Sequence, residues 1–146
     1  PVEYKNFSSS VLKGIFYEIS ELKKWLNSYN IKLILEPGRY IAAYPVKLEA
    51  FILSVINDSI IINCSVYNSA MDTIIANIKL VVEGEHENGE AFTIKGCTPD
   101  SMDIFRYRVY LKNPKPGDKI TFINAGAYNF TTSFCNLPKL ETMVVD

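Results

Sequence analysis

The spacing of apolar residues predicts an α-helix near the start of the chain, followed by a β-strand. Over residues 8–29 apolar side chains recur every three or four positions, at Val11, Leu12, Ile15, Ile19, Leu22 and Leu26. Residues 31–35 form a largely apolar run that ends at Pro37-Gly38, which is typical of a short, mostly buried strand. Because one helix and one strand cannot fully bury each other, we expect residues 1–44 to be one αβ unit of something larger.

The pattern changes after residue 44 and predicts a β-domain over residues 45–146. Strand-like runs at 49–56 and 59–66 are separated by Asn57-Asp58, which is a hairpin signal. We expect further strands at 78–82, 91–95, 105–112, 119–123 and 140–145, with the polar segment 84–90 as a loop. In the strand at 105–112 the apolar residues alternate with Arg106 and Arg108, as in a half-solvated strand. Short strands between turn residues favour a β-sandwich or small barrel.

Composition excludes several classes of protein. The chain has 146 residues, 48% of them hydrophobic, which is enough for a packed core. The net charge of −1 without a basic cluster argues against nucleic acid or an acidic membrane as a partner, and no apolar run has the length of a membrane span. Three separated cysteines favour reduced thiols in a cytoplasmic protein. The single histidine, His86, lies in a charged segment and is expected to be a solvated surface residue rather than a zinc ligand.

The first candidate for chemistry is Glu36-Pro37-Gly38-Arg39, which follows the predicted strand. Ligands bind at strand ends in αβ barrels. Gly38 allows backbone N–H groups to approach a phosphate, and the planar guanidinium of Arg39 can hold one. The Glu36 carboxylate could face a basic ring nitrogen. The alternative is an ordinary turn with a surface arginine, and four residues alone do not exclude it.

Two later motifs have the same ambiguity. Residues 96–103 combine small and acidic residues that could line a pocket for an amine, although a capped loop has a similar composition. Residues 124–130 place a Gly-Ala pair before Tyr128, whose hydroxyl could donate to a phosphate. A core tyrosine with its hydroxyl at the rim is the alternative there.

Together and in this order, the three motifs resemble a known family. Residues 35–43, Leu-Glu-Pro-Gly-Arg-Tyr-Ile-Ala-Ala, resemble the EPGR segment of the ornithine, arginine, lysine and diaminopimelate decarboxylases. Residues 100–103, Asp-Ser-Met-Asp, resemble the end of that family's G-P-x-C-[DE]-S-x-D stretch, and residues 116–122 with 125–128 resemble its GD-x-[IL]-x-F…GAY signature. The resemblance extends over nearly the whole chain. Residues 1–4 match the segment after the family's Gly-Gly-Gly-Phe turn, so we expect the natural protein to begin further upstream.

The resemblance implies a fold, a cofactor and roles for single residues. It implies that residues 1–44 are the last αβ unit of a (β/α)8 barrel that binds pyridoxal 5′-phosphate (PLP). The β-domain follows, and two chains form a homodimer with shared active sites. Glu36 would pair with the pyridinium nitrogen, Gly38 and Arg39 would hold the phosphate with help from Tyr128, and Asp100 would reach the substrate's distal amine across the dimer. A protonated ring nitrogen makes PLP an electron sink, and a neighbouring carboxylate favours the protonated form.

The sequence also departs from the family pattern. The Schiff-base lysine, the cofactor-stacking histidine and the glycine-rich phosphate turn would lie upstream of Pro1, so we expect this chain alone to be inactive. The catalytic cysteine falls at Pro99, which has no proton to give. Either the loop is shifted so that Cys97 donates, or another group donates, or ordinary decarboxylation is lost. A substrate carboxylate of some ornithine enzymes falls at Ala76, and nearby Asp72 is a candidate to replace it.

Three hypotheses follow. The first is the C-terminal part of a decarboxylase that acts on ornithine or lysine, with a diaminopimelate decarboxylase as the alternative substrate assignment. The second is a non-catalytic homologue that binds a partner, which Pro99 motivates. The third is a free-standing β-domain for binding, which the incomplete αβ unit disfavours. The presence of Glu36, Gly38, Arg39 and Tyr128 favours the first hypothesis, because a pure binding protein has no use for a cofactor site.

Overall fold

The helix predicted near the start of the chain is present. A computed structural model describes Lys5 and residues 15–145, with only the backbone described for residues 15–19. Helix α1 spans Ile15–Ser28, and residues 8–14 of the predicted helix lie outside the described residues. The helix ends before Asn30, which adopts a left-handed backbone conformation with φ of 56°. Asn tolerates this conformation better than most residues, so it is a suitable terminator.

The prediction of a strand at residues 31–35 is wrong. This segment has no regular secondary structure, and Ile34 and Leu35 are 75% and 65% exposed. A strand needs a neighbour to pair its backbone N–H and C=O groups. No strand of the described residues pairs with this segment. The apolar pattern of this segment alone therefore does not produce a strand.

A short helix, α2, spans Gly38–Ala42 and lies directly against the β-domain. Behind it, Ala43 is fully buried and its carbonyl accepts a hydrogen bond of 3.3 Å from the backbone N–H of Gly126. A Cβ at Gly126 would overlap the carbonyl oxygen of Ala42. Only glycine therefore allows this close approach of the two backbones. The contact fixes α2, and with it Arg39, relative to the β-domain.

The β-domain is one six-stranded sheet, which confirms the prediction of a mainly β fold. Its strands are β1 Leu48–Ile56, β2 Ser59–Ile62, β3 Val81–Val82, β4 His86–Lys95, β5 Ile104–Tyr110 and β6 Lys119–Ile123. Their order in the sheet is β3-β6-β1-β2-β4-β5. Strands β2 and β4 are parallel and the other neighbours are antiparallel. The predicted hairpin at Asn57-Asp58 is confirmed, because β1 and β2 pair with Ile56 opposite Ser59.

The sheet curls until its far strands meet, as in a small barrel. The rings of Phe105 on β5 and Phe122 on β6 stack with centroids 5.1 Å apart, although three strands separate them in the sheet. Both side chains are buried in a single core of aliphatic and aromatic residues. Arg106 on edge strand β5 donates a hydrogen bond of 2.8 Å to the carbonyl of Leu80, next to the opposite edge strand β3. The two edges are therefore linked by a side chain.

The predicted alternation of buried and exposed residues along β5 is wrong at Arg106 and Tyr107. Arg106 is 3% exposed and forms an ion pair of 2.8 Å with Glu85, whereas Tyr107 is 48% exposed. Register shifts between β4 and β5 interrupt the two-residue period that the prediction assumed. The arginine is buried because Glu85 and the Leu80 carbonyl satisfy it.

Three other predicted boundaries differ from the structure. Strand β4 begins at His86 rather than at residue 91, so part of the predicted loop is strand, although His86 is exposed as expected. Residues 140–145 form no strand. The strand predicted at 59–66 stops at Ile62, and helices α3 (Val66–Ser69) and α4 (Asp72–Ile75) follow. Ser65 explains the change, because it forms a capping box with Asn68 that starts α3.

No helix of the described residues is long and apolar enough to cross a membrane.

Candidate functional site

Gly38, Arg39 and Tyr128 come together at the junction of α2 and the β-domain. The guanidinium carbon of Arg39 lies 4.9 Å from the centroid of the Tyr128 ring, within the range of a cation–π contact. A Cβ on Gly38 would lie 3.7 Å from the Tyr128 hydroxyl. Tyr128 is 65% exposed, in a 3-10 turn at Ala127–Asn129. Two predicted motifs that are about ninety residues apart in sequence thus form one cluster, which we call the Arg39 cluster.

Glu36, the fourth residue predicted to bind the cofactor, precedes this cluster in sequence. Its carbonyl accepts a hydrogen bond of 3.0 Å from the backbone N–H of Gly38, and its side chain is exposed. The turn therefore holds Glu36 beside Gly38. The described residues give no side-chain partner for its carboxylate.

Asp72 completes the Arg39 cluster, and its place there differs from the one we expected. Its carboxylate forms an ion pair with the Arg39 guanidinium, with 2.5 Å between Oδ2 and Nη1. The Asp72 side chain is 6% exposed, compared with 27% for Arg39. The sequence suggested Asp72 as a replacement for a substrate-binding carboxylate. In the structure it is buried behind Arg39 and already paired.

Asn129 holds Asp72 in place. The Asn129 side-chain oxygen accepts a hydrogen bond of 3.1 Å from the Asp72 backbone N–H. The side-chain nitrogen of Asn129 lies 3.4 Å from Asp72 Oδ2. Asn129 itself is 2% exposed. Asn129 was not among the residues that the motifs selected, although its position directly after Tyr128 was a usable signal.

Asp100 lies in a second cluster with Tyr67 of α3. The Tyr67 hydroxyl donates a hydrogen bond of 2.6 Å to Asp100 Oδ2, and the Met102 backbone N–H donates one of 2.8 Å to Oδ1. These bonds, that from Met102 first and that from Tyr67 second, hold the pKa of Asp100 below its usual value. Asp100 is exposed, so its charged carboxylate faces solvent. We call these residues the Asp100 cluster.

Tyr67 is affected in the opposite direction. Its hydrogen bond to Asp100, together with partial burial and the charge of that carboxylate, raises the pKa of Tyr67 to about 12. The phenol therefore remains a neutral donor at any physiological pH. The Phe134 ring lies against Tyr67, with centroids 6.2 Å apart. Tyr67 was not among the residues that the motifs selected, because it lies in a segment that was predicted to follow a strand.

Cys97 lies on the same loop as Asp100 and is exposed. Its backbone N–H donates a hydrogen bond of 3.0 Å to the Cys64 carbonyl, which ties this end of the loop to the sheet. Partial burial, and then the nearby Asp103 carboxylate, raise the pKa of the Cys97 thiol. The thiol therefore keeps its proton at neutral pH and is chemically able to donate it.

Asp103 shapes the loop that carries Cys97 and Asp100. This carboxylate is buried and accepts hydrogen bonds from the Val66 backbone N–H (2.9 Å), the Thr98 backbone N–H (3.1 Å) and the Thr98 hydroxyl (2.7 Å). A Cβ on Gly96 would overlap this carboxylate. Asp103 thus ties the loop to the start of α3, which carries Tyr67.

The segment from α3 to α4 connects the two clusters, since Tyr67 belongs to one and Asp72 to the other. The described residues contain no group of three or more His, Cys, Asp or Glu side chains that could hold a metal ion. The Arg39 cluster offers a cation beside an exposed phenol. The loop after β4 carries both an exposed carboxylate, Asp100, and an exposed thiol, Cys97.

The chain is similar in fold to several solved structures of decarboxylases. The lysine/ornithine decarboxylase from Vibrio vulnificus, complexed with cadaverine, matches 97% of this chain and 42% of its own length, with a TM-score of 0.74 and 19% identity. SrLDC in complex with PLP and cadaverine matches 94% and 38%, with a TM-score of 0.74 and 18% identity. The carboxynorspermidine decarboxylase from Campylobacter jejuni, complexed with norspermidine, matches 81% and 37%, with a TM-score of 0.62 and 24% identity.

These matches confirm the fold that the motifs led us to expect, and two of them cover nearly all of this chain. The chain spans less than half the length of each of the three solved structures. No protein-family model matches the chain, and no curated protein does.

Proposed function

We propose that this chain is the C-terminal portion of a PLP-dependent decarboxylase of a basic amino acid, with ornithine or lysine as the substrate. The observation that carries this proposal is the Arg39 cluster. Residues from two separate motifs meet there in an arrangement suited to a phosphate. Fold similarity to decarboxylases agrees with it, including one structure that holds PLP and cadaverine together.

The residues of the Arg39 cluster fit a phosphate group. Arg39 supplies a half-buried guanidinium, which is the side chain best suited to bind phosphate through two parallel hydrogen bonds. Gly38 is exposed and has no side chain to shield its backbone. The Tyr128 hydroxyl lies 3.7 Å from the position of a Cβ on Gly38, so it can donate to the same ligand.

Glu36 would face the ring of the cofactor rather than its phosphate. It lies on the turn before Gly38 and is exposed. When bound, PLP supplies an electron sink for the electron pair left by departing CO₂. A carboxylate beside the ring nitrogen favours the protonated form of that nitrogen and so strengthens the sink.

The Asp100 cluster would bind the distal amine of the substrate. Asp100 is exposed, and its pKa is lowered by two hydrogen bonds, so it carries a negative charge at neutral pH. An ammonium group is the natural partner of such a carboxylate. The ligands in the similar structures, cadaverine and norspermidine, are both amines, which agrees with this role.

The rest of the active site would come from elsewhere. Under this proposal an upstream barrel supplies the Schiff-base lysine, and a second copy of the protein places its Asp100 cluster against the cofactor in a cytoplasmic homodimer. The exposed apolar residues of the segment 31–35 support a missing barrel, because such a surface is usually covered. The 146 residues alone should then have no activity.

Arg39→Ala in the complete protein tests the proposal through PLP affinity. We expect PLP binding to weaken by about 1.5–3 kcal/mol, the range for hydrogen bonds to a charged group. Tyr128→Phe should weaken it by about 0.5–1.5 kcal/mol, the range for a neutral hydrogen bond. Arg108→Ala is the matched control, since Arg108 is an exposed arginine of β5. PLP affinity that is unchanged in both Arg39→Ala and Tyr128→Phe would contradict the assignment of this cluster.

The second candidate function is a non-catalytic homologue that binds a partner. Pro99 favours it, because the resemblance places the family's catalytic cysteine at this position and proline has no proton to donate. A complete protein that binds PLP but releases no CO₂ from any basic amino acid would support this alternative.

A further inference from the structure

The ion pair between Arg39 and Asp72 has a geometry that limits where the guanidinium can be. Asp72 Oδ2 contacts Nη1 at 2.5 Å, and the guanidinium carbon lies 4.9 Å from the Tyr128 ring centroid. One contact comes from a nearly buried carboxylate and the other from an exposed ring. Arginine side chains have many rotamers, so two such contacts remove most of that freedom before a ligand arrives.

Asp72 is itself held on two sides. Its backbone N–H and its carboxylate both lie within hydrogen-bond distance of the buried Asn129 side chain, at 3.1 and 3.4 Å. Asn129 follows Tyr128 in the same 3-10 turn. Tyr128 contacts the face of the guanidinium, and Asn129 holds its ion-pair partner, Asp72. Because Tyr128 and Asn129 are adjacent in sequence, their positions are fixed relative to each other.

We propose that Asp72 is a positioning residue for phosphate recognition: it holds the Arg39 guanidinium beside Tyr128, ready to bind the phosphate of the cofactor. This inference rests on the proposed function, because it concerns the same cluster. It also gives Asp72 a role different from substrate binding. A fixed donor binds its ligand more tightly than a mobile one, because less conformational entropy is lost on binding.

A competing effect of Asp72 has the opposite sign. A carboxylate near a phosphate repels it, so Asp72 would weaken binding if repulsion dominated. The burial of Asp72 argues against this, because its side chain is only 6% exposed and is already paired with Arg39, whose guanidinium lies over the exposed Tyr128 ring. The paired cation also screens the carboxylate from a ligand on the Tyr128 side. Positioning therefore dominates, and removal of the carboxylate weakens phosphate binding.

The test compares the affinities of the complete protein for PLP and for pyridoxal, which lacks the phosphate. In Asp72→Ala we expect PLP affinity to fall about threefold to tenfold, the effect of releasing one ordered side chain, with pyridoxal affinity unchanged. Asp72→Asn should restore most of the PLP affinity, since its amide oxygen still accepts a hydrogen bond from Arg39. Asp72→Ser, which is too short to reach Arg39, replaces Asp72→Ala if that variant does not fold.

Glu85→Ala provides the matched control. It also breaks a largely buried arginine–carboxylate pair, Arg106–Glu85, which shares no residue with the Arg39 cluster. It should lower the free energy of unfolding and leave the ratio of PLP to pyridoxal affinity unchanged. A purely structural role for Asp72 predicts the same result for Asp72→Ala.

Each outcome decides a different question. Unchanged or tighter PLP binding in Asp72→Ala, or an equal loss for PLP and pyridoxal, would overturn the positioning role. If the unmodified protein binds neither ligand, the proposed function itself is wrong, and the positioning role is wrong with it. A selective loss for PLP that Asp72→Asn repairs would establish the role.

Discussion

The Tyr67 hydroxyl and the Asp100 carboxylate form a hydrogen bond of 2.6 Å that joins helix α3 to the loop after β4. This bond favours opposite charge states in its two members. It helps to hold the pKa of Asp100 below its usual value, and it is the main reason that the pKa of Tyr67 rises to about 12. Asp100 thus remains a carboxylate, and Tyr67 remains a phenol, over the whole physiological range of pH.

Tyr67→Phe should raise the pKa of Asp100, because the variant removes one of the two hydrogen bonds that favour the charged form. The pKa should stay below the ordinary aspartate value, since the Met102 N–H still donates. NMR titration of the Asp100 carboxyl carbon measures this change. Tyr107→Phe, at an exposed tyrosine on β5, is the control. An Asp100 pKa that does not move in Tyr67→Phe would show that the hydrogen bond does not form in solution.

The same pair predicts how stability depends on pH. The folded-state pKa of Tyr67 is raised from 10.0 to about 12, so its contribution is present below pH 10 and is lost as the pH rises toward 12. Asp100 has a lowered pKa, so its contribution is present above its ordinary value of 3.8 and is lost as the pH falls through the folded-state value. Urea unfolding at several pH values, compared between the unmodified protein and Tyr67→Phe, measures the alkaline loss. Identical alkaline slopes would contradict it.

Gly38 of the Arg39 cluster and Gly126, which lies against α2, should respond differently to alanine. Gly126→Ala forces a Cβ into the Ala42 carbonyl, so we expect a loss of about 1–3 kcal/mol in the free energy of unfolding, typical of overpacking. Gly38→Ala places a Cβ at 3.7 Å from the Tyr128 hydroxyl, an ordinary contact distance, and meets no other atom of the described residues that closely, so folding should be nearly unaffected. If Gly38 lies against a phosphate, Gly38→Ala should still weaken PLP binding. Equal unfolding energies for the two variants would contradict the close approach of α2.

Cys97→Ala tests whether this thiol is the proton donor. If it is, the variant of the complete enzyme should form product roughly 10²–10⁴-fold more slowly, the usual contribution of a positioned acid. It should also form more aldehyde relative to amine, because the proton would then be added to the cofactor instead of to the α-carbon of the substrate. The raised pKa of Cys97 means that the unmodified protein keeps this thiol protonated through neutral pH. Cys135→Ala, at another exposed thiol, is the control. A normal rate and clean amine product in Cys97→Ala would exclude the role.

The isolated 146 residues should not form a stable monomer. The α1–α2 region exposes several large apolar side chains, which drive association when nothing covers them. These include Trp25, Tyr29, Ile31, Leu33, Ile34, Leu35, Tyr40 and Ile41. Sedimentation velocity over a range of concentrations measures the association. A monomer at all concentrations, with a sharp thermal transition, would contradict this expectation.

Sequence patterns predicted the elements that local chemistry determines. The Asn57-Asp58 hairpin and strand β6 were placed correctly, because turn residues and strand-forming runs are local signals. The buried position of Arg106 and the absence of a strand at 31–35 were not predicted. The first depends on register shifts between β4 and β5, and the second on which strands are available for pairing.

The candidate site was predicted in its parts but not in its connections. The motifs selected Gly38, Arg39, Tyr128 and Asp100 from residue types and order. Asp72 and Tyr67 were not assigned to these clusters, because only the short helices α3 and α4 bring them there. Those helices begin where the predicted strand 59–66 ends, and four-residue helices leave almost no periodic signal in a sequence.

The most direct test of the central claim is the release of CO₂ from ornithine, lysine and diaminopimelate by the purified complete protein, with and without added PLP. We expect PLP-dependent CO₂ release together with the matching amine from ornithine or lysine. We expect none from the isolated 146 residues. Failure of the complete, PLP-loaded protein to release CO₂ from any of the three amino acids would contradict its assignment as a decarboxylase of basic amino acids.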